Sequence, residues 1–352
     1  MRICFVLVFL SVLSSNNVHS KEFSIMSYNL ENLFDTTHDF GKDDYTYLPK
    51  EVKDNSQDIQ NHCKSLSRDF YIKSCLNVDW TTDKLNQKLK NLSKVIKLYN
   101  FGQGADILVF QEIENQNVMN LFMRKELRSL GYKYSVVLEG EDSRGIDNGI
   151  VSKYPIINQK IHKINLNGIA KKTRGILQAD VLINDKIVSV LGNHWPSQGN
   201  PTLARAKAAK TMNKIAKKLN YSSSLVVALG DFNTVPDRDI PNPLETITEK
   251  VFVNAETVAR KMGKTIHDGT HWFAGKWGSL DKIYIMKSSL NKVHAKFYTF
   301  DIIVENFMLG EKIWTDRDSG DVTVYQDVPI RFSFNNATGY SDHLPIVMRF
   351  DI

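Results

Sequence analysis

The sequence predicts an α/β protein in which β-sheets pack on one another and helices lie outside. Three observations lead there. Apolar runs of strand length recur along the chain, and several are apolar throughout, as strands buried on both faces are. Strand-like segments outnumber segments with helical periodicity. Of the 352 residues, 42% are hydrophobic, enough for a sizeable core, and neither an internal repeat nor a low-complexity linker divides them. One domain is therefore expected over residues 21–352.

The first twenty residues stand apart. Arg2 precedes the apolar run Ile3 to Leu13, and Val18-His19-Ser20 places small residues at the minus-three and minus-one positions. This reads as a secretory signal cleaved after Ser20. The run is too short to span a membrane, which takes about 20 residues. Export, to the periplasm or the medium, is the expectation, with no membrane span. Cys4 leaves with the leader, so Cys63 and Cys75 remain and are expected to form a disulfide in an oxidising compartment. Closing that loop is worth about 3 kcal/mol in the chain-entropy account. The net charge of +6 permits an anionic partner.

Residues 22–29 alternate as a strand. Residues 36–80 are polar and read as a long surface excursion. From Thr81 to Tyr99, the residues Leu85, Leu89, Leu92, Val95 and Ile96 recur at helical spacing. "ADILVFQE" is a strand ending in Glu112, and a helix follows over about 116–130. "YSVVLE", "NGIVSKYP", "GILQADVLI" and "KIVSVLGNH" read as strands. Pro201 opens an Ala/Lys-rich helix to about Leu219, where its missing N–H does no harm. "SLVVALGDFN", "LDKIYIM" and "LPIVMRF" are the later strands. "FYTFDIIVENFML" reads as core strand.

Polar residues gather at the ends of these strands: Asn29, Glu112, His194, Asp231 with Asn233, Asp281, and Asp342 with His343. Strand ends in layered α/β proteins converge on one rim. A single Asp after a strand is an ordinary turn former; a set of this kind calls for a site. Carboxylate and amide oxygens are hard ligands for magnesium, manganese or calcium. No Cys/His cluster favours zinc, and no Walker A, HExxH or GxSxG motif occurs. Two imidazoles with spare carboxylates complete a phosphoryl-centred hydrolytic site, in which a metal polarises the phosphate and acid–base groups activate water.

"SYNLENLFDT", "ADILVFQEIEN", "RGIDNGIVSKYP", "GNHWPSQGNP", "ALGDFN", "WGSLDKIYI" and "YSDHLPI" occur in the order seen in the endonuclease/exonuclease/phosphatase superfamily. The chain resembles its exported bacterial nuclease-like members over about 23–350. The resemblance implies a four-layer α/β sandwich, two mixed β-sheets face to face and flanked by helices. It implies that Glu112, Asn29 and Asp342 are metal-side residues, with Mg2+ as cofactor and Mn2+ or Ca2+ as substitutes. Asp231 corresponds to the residue that handles the nucleophile, and Asn233 to one on the phosphate. His343 matches the histidine beside the scissile phosphate, with Asp281 as its carboxylate partner. His194 resembles the second histidine of the deoxyribonuclease branch, with Asp147 as its orienting acid. Arg174 sits where a phosphate-gripping arginine is expected.

The resemblance implies a metal-dependent phosphodiesterase, an endonuclease acting on nucleic acid, DNA first, as a monomer. Two other readings stay open. One is a phosphodiesterase or phosphatase for sphingomyelin, phosphoinositide or another small phosphoester, which would need an exposed apolar hairpin at a membrane; the sequence shows no clear one. The other is a catalytically silent binding or toxin subunit. Glu114 stands where the deoxyribonuclease branch has a groove-entering arginine, and a carboxylate there is expected to repel phosphates.

Overall fold

Two six-stranded mixed sheets face each other in the computed structural model, which describes residues 20–316 and 319–352. The expected leader lies outside the described residues, Ser20 excepted. The first sheet runs, in spatial order, His294–Ile302, Ile346–Asp351, Glu22–Leu33, Ile107–Ile113, Asp147–Ser152 and Tyr134–Val137. The second runs Ile156–His162, Ile176–Ile183, Lys186–His194, Leu225–Asp231, Asp281–Met286 and Phe252–Asn254. The pairs Glu22–Leu33 with Ile107–Ile113 and Lys186–His194 with Leu225–Asp231 are parallel; the others are antiparallel.

The central strands are apolar because both of their faces are covered. Val109, Leu177, Val190, Val227, Leu229 and Ile283 are fully buried in one shared core. Each such side chain stabilises the fold by about 1.5–3 kcal/mol relative to exposure. Outside the first sheet lies the helix Thr82–Ile96, capped by the Thr81 side chain and burying Leu85, Leu89, Leu92 and Ile96. Outside the second lies Thr202–Leu219, whose Ala204, Ala208, Ala209 and Met212 pack on Val226, Ala228 and Trp195. This is the four-layer sandwich expected.

Segment 36–80, expected as a long polar surface excursion, has secondary structure of its own. It folds into the short helices Lys50–Asp54, Gln57–Ser65 and Asp69–Asn77. Their few apolar residues leave little periodicity to read. The disulfide Cys63–Cys75 joins the last two, and both sulfurs are buried. The segment is pinned to the sandwich through Tyr47 stacked on Phe34 at 3.9 Å and through Trp80, whose ring nitrogen donates to the Phe34 carbonyl at 3.1 Å.

"FYTFDIIVENFML" is not all core strand. His294–Ile302 forms the edge of the first sheet, and the chain then leaves as a separate ribbon, Leu309–Thr315 against Val322–Pro329. One face of the ribbon, Trp314 and Tyr325, packs on Trp272 of the small hairpin His271–Phe273/Lys276–Gly278. On the other face Ile313, Val322 and Val324 are more than half exposed. No helix among the described residues is long and apolar enough to cross a membrane.

Candidate active site

Strand register assembles the site. His194 stands opposite Asp231 in the parallel pair, and Asp281 stands opposite Asp231 on the other side. Three polar residues distant in sequence thus share one row across three strands. Gly230 permits the close approach beside that row: its φ is +136°, and a Cβ there would meet the Asn193 carbonyl oxygen at 2.0 Å. In the facing sheet Asn29 stands opposite Gln111, after which the ladder bulges. A bulge re-aims the side chains that follow it. Glu31, Asn32 and Glu112 take φ of 51°, 56° and 59°, and Asn233 takes 47°. Such backbone costs of order 1–3 kcal/mol per residue and collects at functional sites.

Asp231 is the hub. Its Oδ1 accepts the Asn233 backbone N–H at 2.7 Å, and its Oδ2 accepts the Asn233 side-chain amide at 3.2 Å and the Asn29 amide at 3.4 Å. Both imidazoles present Nε2 to Oδ2, His194 at 3.6 Å and His343 at 3.9 Å. His194 Nε2 also lies 3.7 Å from Glu112 Oε1. Burial, with Asp281 and Glu112 nearby, pushes the Asp231 carboxyl up to about 7. Burial, with Arg174 and Arg144 nearby, holds His194 well below the ordinary histidine value, so it is neutral. His343 goes the other way: burial opposes its charge, but Asp281, Asp342 and Asp231 hold it well above 6.5. The site therefore keeps one neutral and one cationic imidazole on either side of a carboxyl poised near neutrality.

Asp342 and His343 diverge because they sit in the turn before Ile346–Asp351. The Ser341 hydroxyl donates to the Asn29 carbonyl at 2.7 Å and accepts the His343 N–H at 3.1 Å. His343 Nδ1 then meets Asp281 Oδ2 at 2.7 Å, while Asp342 Oδ2 meets Arg331 at 3.2 Å. Glu31, which sequence reasoning passed over, ties this turn down. It accepts the Asp342 N–H at 3.0 Å and the Arg331 Nε at 2.6 Å. Buried Lys88 donates to the Glu31 and Asn32 carbonyls that the bulge frees. The sign was Lys88 itself, a charge on the apolar face of its helix.

Other expectations change. Asp147 is buried but does not orient His194: its Oδ1 accepts the Gly140 N–H at 2.8 Å, and His194 Nδ1 has no partner among the described residues. Arg174 is not free to grip phosphate. Its Nη1 is bound to Asp142 at 2.7 Å, and its Nε and Nη2 are given to the His194 and Trp195 carbonyls. It holds the His194 strand end in place. The neighbouring Arg144, whose Nε and Nη2 donate to Asp142 Oδ1 and Oδ2 at 3.2 Å each, has a side chain 54% exposed. Glu114 does not confront substrate. It is buried, accepts the Asp35 N–H at 2.7 Å, and burial with Asp35 nearby pushes its carboxyl up to about 9. Trp195 is buried against Phe232 as packing.

Residues 54–351 match the Endonuclease/Exonuclease/phosphatase family. The chain belongs to that family. No curated protein matches the sequence significantly. Among solved structures, an endonuclease/exonuclease/phosphatase family protein from Bacteroides thetaiotaomicron aligns with a TM-score of 0.54 at 13% identity, over 95% of this chain and 98% of that one. D. rerio TDP2 complexed with a single-strand DNA product aligns with 0.51 at 14% identity, over 94% and 99%. A mutant beta toxin from Staphylococcus aureus with bound magnesium ions aligns with 0.52 at 17% identity, over 93% and 99%. At these identities the likeness is one of fold. Members of the endonuclease/exonuclease/phosphatase family hydrolyse phosphoesters, commonly with a divalent metal.

The residues here fit such an ion. Glu112 Oε2 accepts the Asn32 N–H at 3.0 Å, and Asp342 Oδ2 is taken by Arg331. Glu112 Oε1 and Asp342 Oδ1 accept no hydrogen bond among the described residues. With the Asn29 amide oxygen they make an all-oxygen donor set, the kind magnesium, manganese and calcium take.

Proposed function

We propose that this chain is a divalent-metal-dependent phosphodiesterase that hydrolyses nucleic acid, DNA first, as an endonuclease. One observation carries the reading: His194 and His343 flank Asp231 at 3.6 and 3.9 Å beside Glu112. Breaking a phosphodiester requires one group to take a proton from water and another to support the departing oxygen. Asp231, with its carboxyl near 7, takes the water's proton. Cationic His343 donates from Nε2 to the phosphate. Neutral His194 and Asn233 orient water and phosphate oxygens. Bound at Glu112, Asn29 and Asp342, a divalent cation would neutralise the charge that develops on the phosphate.

A polymeric substrate is supported by two half-exposed arginines held by carboxylates beside this centre. Arg331 is anchored by Glu31 and Asp342, Arg144 by Asp142. A polynucleotide carries phosphates on both sides of the scissile one, and each guanidinium, held through Nε and Nη2, keeps Nη1 to donate to one. The buried disulfide supports export. We take 21–352 as one catalytic domain, active as a monomer.

A second reading is favoured by the exposed face of the ribbon, Ile313, Val322 and Val324. That is the apolar hairpin a lipid phosphoesterase would need. The experiment incubates purified protein with supercoiled plasmid, single-stranded RNA, sphingomyelin vesicles and inositol phosphates, with magnesium or with EDTA. EDTA-sensitive nicking of the plasmid is the expected result. Release from the lipid or inositol panel with intact nucleic acid overturns the substrate assignment in favour of the second reading.

A further inference from the structure

The catalytic scheme leaves His271 unused, yet it stands against the site. An isolated antiparallel bridge joins it to His343 and sets the two rings 4.7 Å apart. Asp342 precedes His343 in the turn. One nitrogen of each imidazole and one oxygen of Asp342 lie within 4.8 Å of one another. Three donors bound to one tetrahedral, zinc-sized ion at about 2.0–2.2 Å lie about 3.3–3.6 Å from one another. A rotation of the side chains that brings these atoms together by roughly an ångström therefore completes a tripod.

The outer contacts of such a tripod are already in place. A metal-bound imidazole gives its other N–H to a carboxylate, and His343 Nδ1 holds Asp281 Oδ2 at 2.7 Å. Arg331 holds Asp342 Oδ2 at 3.2 Å, so Oδ1 is the oxygen for which a zinc-class ion would compete with magnesium. Burial, with His343 beside it, keeps the His271 ring neutral, with its lone pair available. Two imidazoles and one carboxylate suit zinc, cobalt or copper; magnesium keeps to oxygen ligands.

We propose that His271, His343 and Asp342 form a site for zinc-class dications, and that an ion there inhibits the enzyme by occupying His343 Nε2. An ion on Nε2 occupies the nitrogen through which the imidazole would meet the phosphate. The inhibition rests on the proposed function; the binding does not.

The test uses the purified protein in excess magnesium, titrated with Zn2+ by calorimetry in buffers of different ionisation enthalpy and with Co2+ by visible absorption. His271→Asn and His271→Gln are compared with the parent after each is shown to melt as the parent does. The expected result is one ion per chain with proton release, and an affinity about ten-fold or more weaker in both variants. Magnesium-dependent turnover survives in the variants, and its half-inhibition by Zn2+ moves up by a similar factor. No binding by the parent overturns the site, as does equal binding by the variants. Binding without inhibition overturns the regulatory half. Binding by a protein that cleaves none of the phosphoesters above leaves the site standing and sinks the proposed function instead.

Discussion

Asp281 Oδ2 lies 2.7 Å from His343 Nδ1, and both residues are buried. The carboxylate accepts the Nδ1–H, fixes the ring and turns Nε2 toward Asp231. Asp281→Asn keeps the shape and removes the charge. It should lower kcat about 10²–10⁴-fold, as loss of a positioned acid–base contact does, with His343→Ala at least as severe. Both variants should keep the parent's circular dichroism. Steady-state turnover by either variant within two- or three-fold of the parent, roughly, would remove His343 from the chemistry.

Glu112 meets the Asn32 N–H through Oε2, and in the proposed function its Oε1 would meet the cation. Glu112→Gln should shift the magnesium titration of activity upward by about ten-fold or more. A superimposable titration curve would take Glu112 out of the metal site.

Arg174 and Arg144 share Asp142 but should fail differently. Arg174→Gln leaves Asp142 without its buried partner, and breaking such a pair costs about 3–5 kcal/mol. Its loss should appear as a lowered melting temperature. Arg144→Gln touches an exposed guanidinium and should raise KM on an oligonucleotide about ten-fold at little change in stability. The reverse assignment of effects would restore Arg174 as the phosphate ligand.

Glu114 has its carboxyl raised to about 9 by burial, against 4.5 when unfolded. Between those values the folded state holds a proton that the unfolded state does not, so stability falls as pH rises from about 4.5 to about 9. Glu114→Gln removes this dependence. Its melting temperature should match the parent near pH 4 and exceed it near pH 8 by about 2 °C or more. Calorimetry across that range checks it, and parallel pH profiles for the two proteins would refute it.

Much of the fold was readable because it is written in apolar runs. "SLVVALGDFN", "KIVSVLGNH" and "ADILVFQE" form strands covered on both faces, and a short run of that kind reads as a buried strand. The gathering of Asn29, His194, Asp231, Asp281 and His343 at one centre followed from their places at strand ends. What escaped lacked a local signal. The short helices of 50–77 carry too few apolar residues for periodicity, and the ribbon Leu309–Thr315 with Val322–Pro329 is a two-stranded sheet of its own outside the two main sheets. The orienting role of Arg174, the inward turn of Glu114 and the anchoring by Glu31 depend on side-chain partners from distant strands. A residue's place in the chain carries no trace of those.

The left-handed residues at the strand ends have a thermal corollary. Asn29, Glu112, His194, Asp231 and Asp281 are rooted in strands with fully buried neighbours, and Glu31, Asn32 and Asn233 keep their unusual φ only while those ladders hold. The catalytic rim has no transition of its own, so heat should extinguish activity at the temperature where the sandwich itself comes apart, and cooling that restores the sheets should restore the enzyme with them.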